Sequence, residues 1–396
     1  MDDGTMRHER PHPEPGTQNP EHPHTNPQSP LSTPQTLAVI LCTRNRPADL
    51  ARCLASLAAQ TRPADEIWVI DASERAEDGG QRSEDGGQRA EVGGQRAGDE
   101  GRRTNTTAQP GQSPIPNNQS PISNNQSPIS NLQSPIPNNQ SPISNLQSPI
   151  PNNHSPLTTL PSPPGLPAQR NLGLRQTQAD VVAFFDDDVE LEPGYLAALM
   201  AVYERRWGEG VGGVAGSTPG WRQSSEGAWW LKRVFGLTHV QASGEAVRLL
   251  PTLGLTWVAQ PAHEIPCAAL PGHCMSFRRA ALDGIAFDES LGGYADGEDI
   301  DVGIQVGRRY PLWQTPDARL THHKSRLQRA DLRRRFFTRT RNERYLHRKL
   351  MPQTAFYRLA WAWGAVGRLL VAAMVGLRQG ALSPLHGAWE GLRAVK

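Results

Sequence analysis

Residues 74–163 offer no apolar periodicity from which a core could be built, and they split the chain into two foldable stretches. From Ala76 a heptad runs Ala-Glu-Asp-Gly-Gly-Gln-Arg, then Ser-Glu-Asp-Gly-Gly-Gln-Arg, then Ala-Glu-Val-Gly-Gly-Gln-Arg. From Gln112 a second heptad, of the type Gln-Ser-Pro-Ile-Pro-Asn-Asn, persists to about Leu160. Such a period suggests a coiled coil, but proline in each unit and a single apolar residue forbid one. The units are also too short and Pro-rich to stack as a solenoid. The segment is expected to be a long disordered insertion. Residues 1–36, polar and Pro-rich, read as a disordered N-terminal tail. About 270 residues remain, enough for one large α/β domain with a sizeable core.

The first foldable stretch opens β-α-β. Ala38-Val39-Ile40-Leu41-Cys42 is a short apolar run of the kind buried in parallel sheets. Pro47 suits the first turn of a helix, and Leu50, Leu54 and Leu57 follow at helical spacing. Glu66–Asp71 reads as a second strand. This order favours a right-handed crossover and a doubly wound sheet. Beyond the insertion the pattern predicts a helix over 168–178 and a strand over Val181–Phe185. A helix opened by Pro193 follows, with Leu196, Leu199, Met200 and Tyr203 on one face. Further strands are expected near 211–215, 274–277 and 318–321, and a helix over 298–309. Residues 217–265, rich in Trp and Gly, show no clear period.

A formal net charge of +2 provides no global field for a polyanion, so nucleic acid is not an expected partner. Cys42, Cys53, Cys267 and Cys274 lack CxxC spacing, and the polar start shows no secretory signal. A reduced, cytoplasmic setting follows, with the thiols as core fillers. Cys267, His273 and Cys274 lack the second ligand pair that a zinc site needs.

Two acidic clusters carry the chemistry. Asp186-Asp187-Asp188 ends an apolar strand, which puts it at the sheet edge where α/β folds bind ligands. Three adjacent acids repel one another, and a divalent cation is the natural counter-charge. A solvated acidic turn, or a cap on the helix after Pro193, is the competing explanation. Gly297-Glu298-Asp299-Ile300-Asp301 opens a helix, where acids also occur for electrostatic reasons alone. A carboxylate there can take a proton from an attacking hydroxyl.

With these motifs in hand, the sequence resembles glycosyltransferase family 2. The resemblance rests on Thr43-Arg44-Asn45-Arg46 after the first strand and Glu-Ile-Trp-Val-Ile-Asp71 in the second. It continues in Gly165-Leu-Pro-Ala-Gln-Arg-Asn171-Leu-Gly, Phe-Phe-Asp-Asp-Asp-Val-Glu-Leu-Glu-Pro193 and Gly297-Glu-Asp-Ile-Asp. It implies a GT-A fold, with a nucleotide-binding part over 37–73 and a metal and acceptor part over 164–325. It also implies inversion at the anomeric carbon. Thr43, Arg44 and Asp71 would line the nucleotide pocket, with Arg170, Asn171, Asp186 and Asp187 beside the sugar donor. Asp186 and Asp188 would bind Mn²⁺ or Mg²⁺ as the outer acids of a DxD motif. Asp299 would be the general base, with Glu298 its competitor. His322 or His323 would add a metal or diphosphate contact. The long insertion departs from the family pattern.

Trp221, Trp229, Trp230 and Trp257 fit either an acceptor surface or core packing. Residues 326–396 are read as basic and apolar C-terminal helices. The apolar run Leu359–Leu377, interrupted by Arg368, is marginal as a membrane span. An interfacial helix at the inner face of the plasma membrane and a hairpin packed on the catalytic domain both stay open. The expected reaction moves sugar from a nucleotide diphosphate to a carbohydrate or glycolipid hydroxyl, in glycan, glycolipid or cell-surface polysaccharide synthesis. Rival readings are a polyprenyl-phosphate sugar transferase and a silent scaffold binding through the repeats and the basic helix. A nucleotidyltransferase is disfavoured because no Gly-rich, basic nucleotide loop follows the first strand.

Overall fold

The computed structural model describes residues 33–74, 155–221, 228–291, 296–323 and 331–394. The expectations for residues 1–32 and for the repeats over 75–154 lie outside the described residues.

Strand β1 (Leu37–Thr43) is buried along its whole length. Helix α1 (Pro47–Ala58) turns Leu50, Cys53, Leu54 and Leu57 inward. It returns the chain to β2 (Glu66–Asp71), parallel to β1 with Thr43 beside Asp71. Residues 157–161, placed in the insertion by their sequence, instead form β3 (Leu157–Pro161), parallel to β2. The strand sits at the sheet edge with mostly exposed side chains, so backbone pairing holds it and no apolar alternation betrays it. The tail also ends earlier than expected. Thr36 and Gln35 donate backbone N–H bonds to Asp180 Oδ2 at 3.1 and 2.9 Å, anchoring the chain just before β1.

Helix α2 (Leu166–Gln176) lies against β1. A Cβ on Gly173 would stand 2.6 Å from Ile40 Cγ2, so this close approach requires glycine. Strand β4 (Val181–Asp186) pairs with β1 on the side away from β2, setting Asp186 beside Cys42. There follow β5 (Val189–Leu191), α3 (Tyr195–Arg206) and β6 (Gly213–Ser217). The aperiodic stretch resolves into short pieces: α4 (Trp229–Val234), β7 (His239–Gln241), β8 (Thr256–Val258) and β9 (Ile265–Cys267). Three-residue strands are too brief to leave a periodic signature. Then come β10 (Cys274–Arg278), α5 (Glu298–Gly307) and β11 (Leu312–His322).

The main sheet runs β3-β2-β1-β4-β10-β6-β11-β5, with β9 added on β11, while β7 and β8 pair separately. Because β10 runs antiparallel to β4 and β6, the sheet is mixed. Parallel β1, β2 and β4 deliver Thr43, Asp71 and Asp186 to one edge. Its core includes Phe184, Phe277, Tyr195, Tyr203 and Phe287, all fully buried. The cysteines are free, three of them buried.

The C-terminal part folds as α6 (Leu332–Leu350), α7 (Ala355–Gln379) and α8 (Ser383–Arg393). Asp331 caps α6 by accepting the Arg334 N–H. Gly387 and Gly391 let α8 approach α6 closely, since Cβ atoms there would strike the carbonyl oxygens of Arg333 and Phe337. Arg368, the arginine that interrupts the apolar run, is buried in α7 and pairs with Glu343 of α6. The run thus packs on the protein along one side of α7.

Candidate functional site

Antiparallel pairing of β11 with β5 sets His322 opposite Val189, one residue past Asp188. His322 Nε2 therefore lies 3.0 Å from Asp188 Oδ1 and 4.0 Å from Asp186 Oδ2. One donor atom from each of Asp186, Asp188 and His322 falls within 4.8 Å of the others. Two carboxylates and an imidazole converging this closely suit a divalent cation, and carboxylate oxygens favour Mg²⁺ or Mn²⁺. His323 turns away and meets Glu190 at 2.8 Å. His273 stacks on His322, ring centroids 4.6 Å apart, and its Nε2 lies 2.9 Å from the Thr218 hydroxyl.

Asp187 takes a different direction. It is buried, accepting from the Thr43 hydroxyl at 2.7 Å and from Arg46 Nη1 at 2.8 Å. Burial pushes its carboxyl up to about 6, against the opposing pull of Arg46 and the Thr43 hydroxyl. The middle acid thus fastens the end of β1 to the acidic turn. Arg46 Nη1 also lies 3.5 Å from Asp188. Arg44, two residues earlier, is exposed.

Arg170 is the hub of the second acidic cluster. Its buried guanidinium meets Glu298 Oε1 at 2.7 Å, Asp186 Oδ1 at 3.2 Å and the Gly272 carbonyl at 3.0 Å. Burial opposes its charge, but Glu298 and Asp186 outweigh that and hold it ionised. Gly272 also donates its N–H to Asp299 Oδ2 at 3.0 Å, while Ile300 N–H donates to Asp299 Oδ1 at 2.8 Å. Gly297, at φ 110°, starts α5 in a conformation that favours glycine and sets both acids in its first turn. Burial pushes the Glu298 carboxyl up to about 8, with the Asp299 charge adding to the effect. Burial likewise raises Asp299, against Arg170 and the two N–H donors. Glu298 is buried and Asp299 only half-buried, so Asp299 is the more accessible to an incoming molecule.

Asn171, expected beside the sugar donor, is buried and bonded within the fold. Its amide bonds the backbone of Phe287 in both directions at 2.9 Å and donates to Glu289 at 2.9 Å. It pins the loop at Phe287 and Glu289. Gln169 Nε2 bridges the carbonyls of Thr43 and Ile70 at 3.2 and 2.8 Å, closing the ends of β1 and β2. Asp71 sits there half-buried, accepting from Ser73 N–H at 2.9 Å. Of the tryptophans, Trp257 is buried and Trp221 packs 5.2 Å from His273. Trp229 and Trp230 are exposed on α4. Arg46, Gln169, Gly272 and His273 were not singled out by sequence as site residues. Arg46 and Gln169 lay inside the quoted motifs, whereas Gly272 gave no pattern and His273 was weighed only with Cys267 and Cys274 for zinc.

Residues 38–79 and 155–285 match the family model described as glycosyl transferase family 2. The α5 acids and His322 lie beyond that match. No curated protein matches the sequence. Among solved structures, the chain is 12% identical to GalNAc-T7, crystallised with UDP, GalNAc and Mn2+, at a TM-score of 0.45 over 74% of this chain and 44% of that one. It is 13% identical to S. aureus TarS 1-349 in complex with UDP-GlcNAc, at a TM-score of 0.47 over 90% and 80% of the two chains. In a second TarS structure it spans 43% of that chain, so it covers less than half of each of these two longer proteins. Over residues 38–79 and 155–285, which take in β1 to β10, the chain is thus similar to glycosyl transferase family 2.

Proposed function

We propose that the protein is a metal-dependent, inverting glycosyltransferase moving a sugar from a nucleoside diphosphate to an acceptor hydroxyl. One observation carries this reading: Arg170 and Gly272 tie the acids of α5 to the acid that ends β4. Asp186, Asp188 and His322 would hold Mn²⁺ or Mg²⁺, which supplies charge neutralisation for a departing diphosphate. Thr43 and Asp71, at the carboxyl ends of β1 and β2, lie where α/β sheets receive nucleotides.

Asp299 acts as the general base. It takes the acceptor proton while the acceptor oxygen bonds to the anomeric carbon and the sugar–phosphate bond breaks, its electron pair leaving with the diphosphate. A single displacement of this kind inverts that carbon. The N–H groups of Gly272 and Ile300 hold the Asp299 carboxylate in a fixed orientation. Glu298, locked to Arg170, is a positioning residue.

The test is a transfer assay across nucleotide sugars with Mn²⁺, comparing wild type with Asp299→Asn. UDP sugars are the first donors to try, and hydroxyl and polyprenyl-phosphate acceptors run in parallel. Transfer to hydroxyl acceptors should fall by about 10²–10⁴-fold in the variant. Undiminished transfer by Asp299→Asn to a lipid phosphate, which needs no base, would replace this reading with a polyprenyl-phosphate transferase.

A further inference from the structure

Helix α7 is buried along one side only. Phe356, Leu359, Trp363, Val366 and Leu370 recur at three- and four-residue steps, Leu377 follows two turns later, and all remain exposed, Leu359 at 71% and Leu377 at 76%. At the rise of an α-helix, this stripe is about 30 Å long. Helix α4 extends it sideways with exposed Trp230 and Val234. Trp363 joins the two helices, stacking on Phe235 at 4.5 Å and donating to the Val234 carbonyl at 2.9 Å. Monomeric proteins rarely leave so continuous an apolar surface in water.

Beside the stripe lies a basic cavity of about 560 Å³ lined by Arg344, His347, Arg348, Gln353, Arg358 and Trp361, among others, with no acid in its wall. Arg358 directly precedes Leu359 of the stripe. The guanidinium groups of Arg348 and Arg358 have no hydrogen bond or ion pair among the described residues, whereas Arg344 donates to the Leu392 carbonyl. Residues 332–393 carry twelve arginines and lysines against two glutamates. Both glutamates are spent in ion pairs, Glu343 with Arg339 and Arg368, Glu390 with Arg333.

We infer that the α4–α7 face docks on an anionic bilayer, the stripe entering the interface and the Arg348–Arg358 cavity taking the phosphate of a lipid headgroup. Charge selects this occupant. A second copy would bring like charge against like, while an anionic lipid surface offers both an apolar layer and phosphates. The helix lies along the membrane and does not cross it, because one side packs on folded protein and holds the buried Arg368–Glu343 pair. This inference is independent of the transferase reading.

The test is flotation of the full chain with phosphatidylcholine vesicles, with and without phosphatidylglycerol. Wild type should float with the phosphatidylglycerol vesicles. Leu359→Gln combined with Leu377→Gln, at two of the most exposed positions, should abolish flotation while leaving the circular dichroism spectrum and melting temperature unchanged. Arg348→Gln combined with Arg358→Gln should cut partition to anionic vesicles by about tenfold or more without altering it on neutral ones. Three results would each overturn the inference. One is wild-type protein that stays unbound to anionic vesicles. Another is a response to inorganic phosphate, seen as a raised melting temperature, without flotation. The third is a non-floating dimer that the double leucine variant dissolves.

Discussion

Arg170 Nη1 stands 2.7 Å from Glu298 Oε1, although 128 residues separate them in sequence. The same guanidinium reaches Asp186, so one buried cation fixes the distance between the acid at the end of β4 and the first turn of α5. Its burial makes the link costly to break, since a lone buried charge loses its compensation.

Arg170→Lys is therefore expected to lower transfer at least a hundredfold, because an ammonium cannot span Glu298, Asp186 and the Gly272 carbonyl in one plane. Urea unfolding should show a loss of roughly 3 kcal/mol. Unchanged turnover in a folded variant would remove Arg170 from the site.

Gly272→Ala probes the neighbouring joint. Its new Cβ would lie 2.9 Å from Asp299 Oδ2 and 3.0 Å from Asp299 Cβ, so Asp299 must move. A displacement near 1 Å of a positioned reacting group costs about a hundredfold, so kcat should drop by that order. Steady-state kinetics on the variant provides the check.

His322→Ala removes the only nitrogen donor from the Asp186–Asp188–His322 cluster. The Mn²⁺ concentration giving half-maximal transfer should rise about 10–100-fold, and excess metal should restore part of the rate. His323→Ala, on the far side against Glu190, should leave that concentration unchanged.

The pH dependence of transfer follows from Asp299. Burial raises its carboxyl above the ordinary aspartate range, and the base works only when ionised. The rate should therefore fall on acidification through an ionisation higher than an exposed aspartate would show. Asp299→Asn should erase that limb. A flat profile in the wild type would argue against a carboxylate base.

Glu343 couples α6 to α7, and its pairing sets an acid limit on stability. Burial opposes its charge, but Arg368 and Arg339 prevail and hold its carboxyl down at about 2. A lowered folded-state value means stability fully present above the ordinary pKa of 4.5 and lost as pH falls toward 2. Glu343→Gln should cost roughly 3 kcal/mol at pH 7, and the gap to wild type should narrow below pH 4.5. Urea melts at neutral and acid pH measure it.

The sheet was legible where burial leaves a mark in sequence. Ala38–Cys42 and Val181–Phe185 are apolar because β1 and β4 have strands on both flanks. Strand β3 was not, because an edge strand with exposed side chains looks like the repeats before it. The Asp triplet pointed to a cation, and the family resemblance picked out its outer acids, Asp186 and Asp188, with His322 or His323 as a further contact. In the turn that follows β4, the Thr43 and Arg46 partners hold Asp187 inward, while Asp186 and Asp188 meet His322. The motif around Asn171 is local, and its partners at Phe287 and Glu289, far along the chain, were not legible from it. Gly272 and His273 act through a backbone N–H, a carbonyl and a ring stack, none of which has a sequence signature.

The most direct test is Mn²⁺ binding in the presence of UDP, followed by electron paramagnetic resonance on wild type and Asp188→Ala. One bound ion per chain is expected in the wild type, with its affinity lost in the variant. Equal binding by both proteins would contradict a cation held at Asp186, Asp188 and His322.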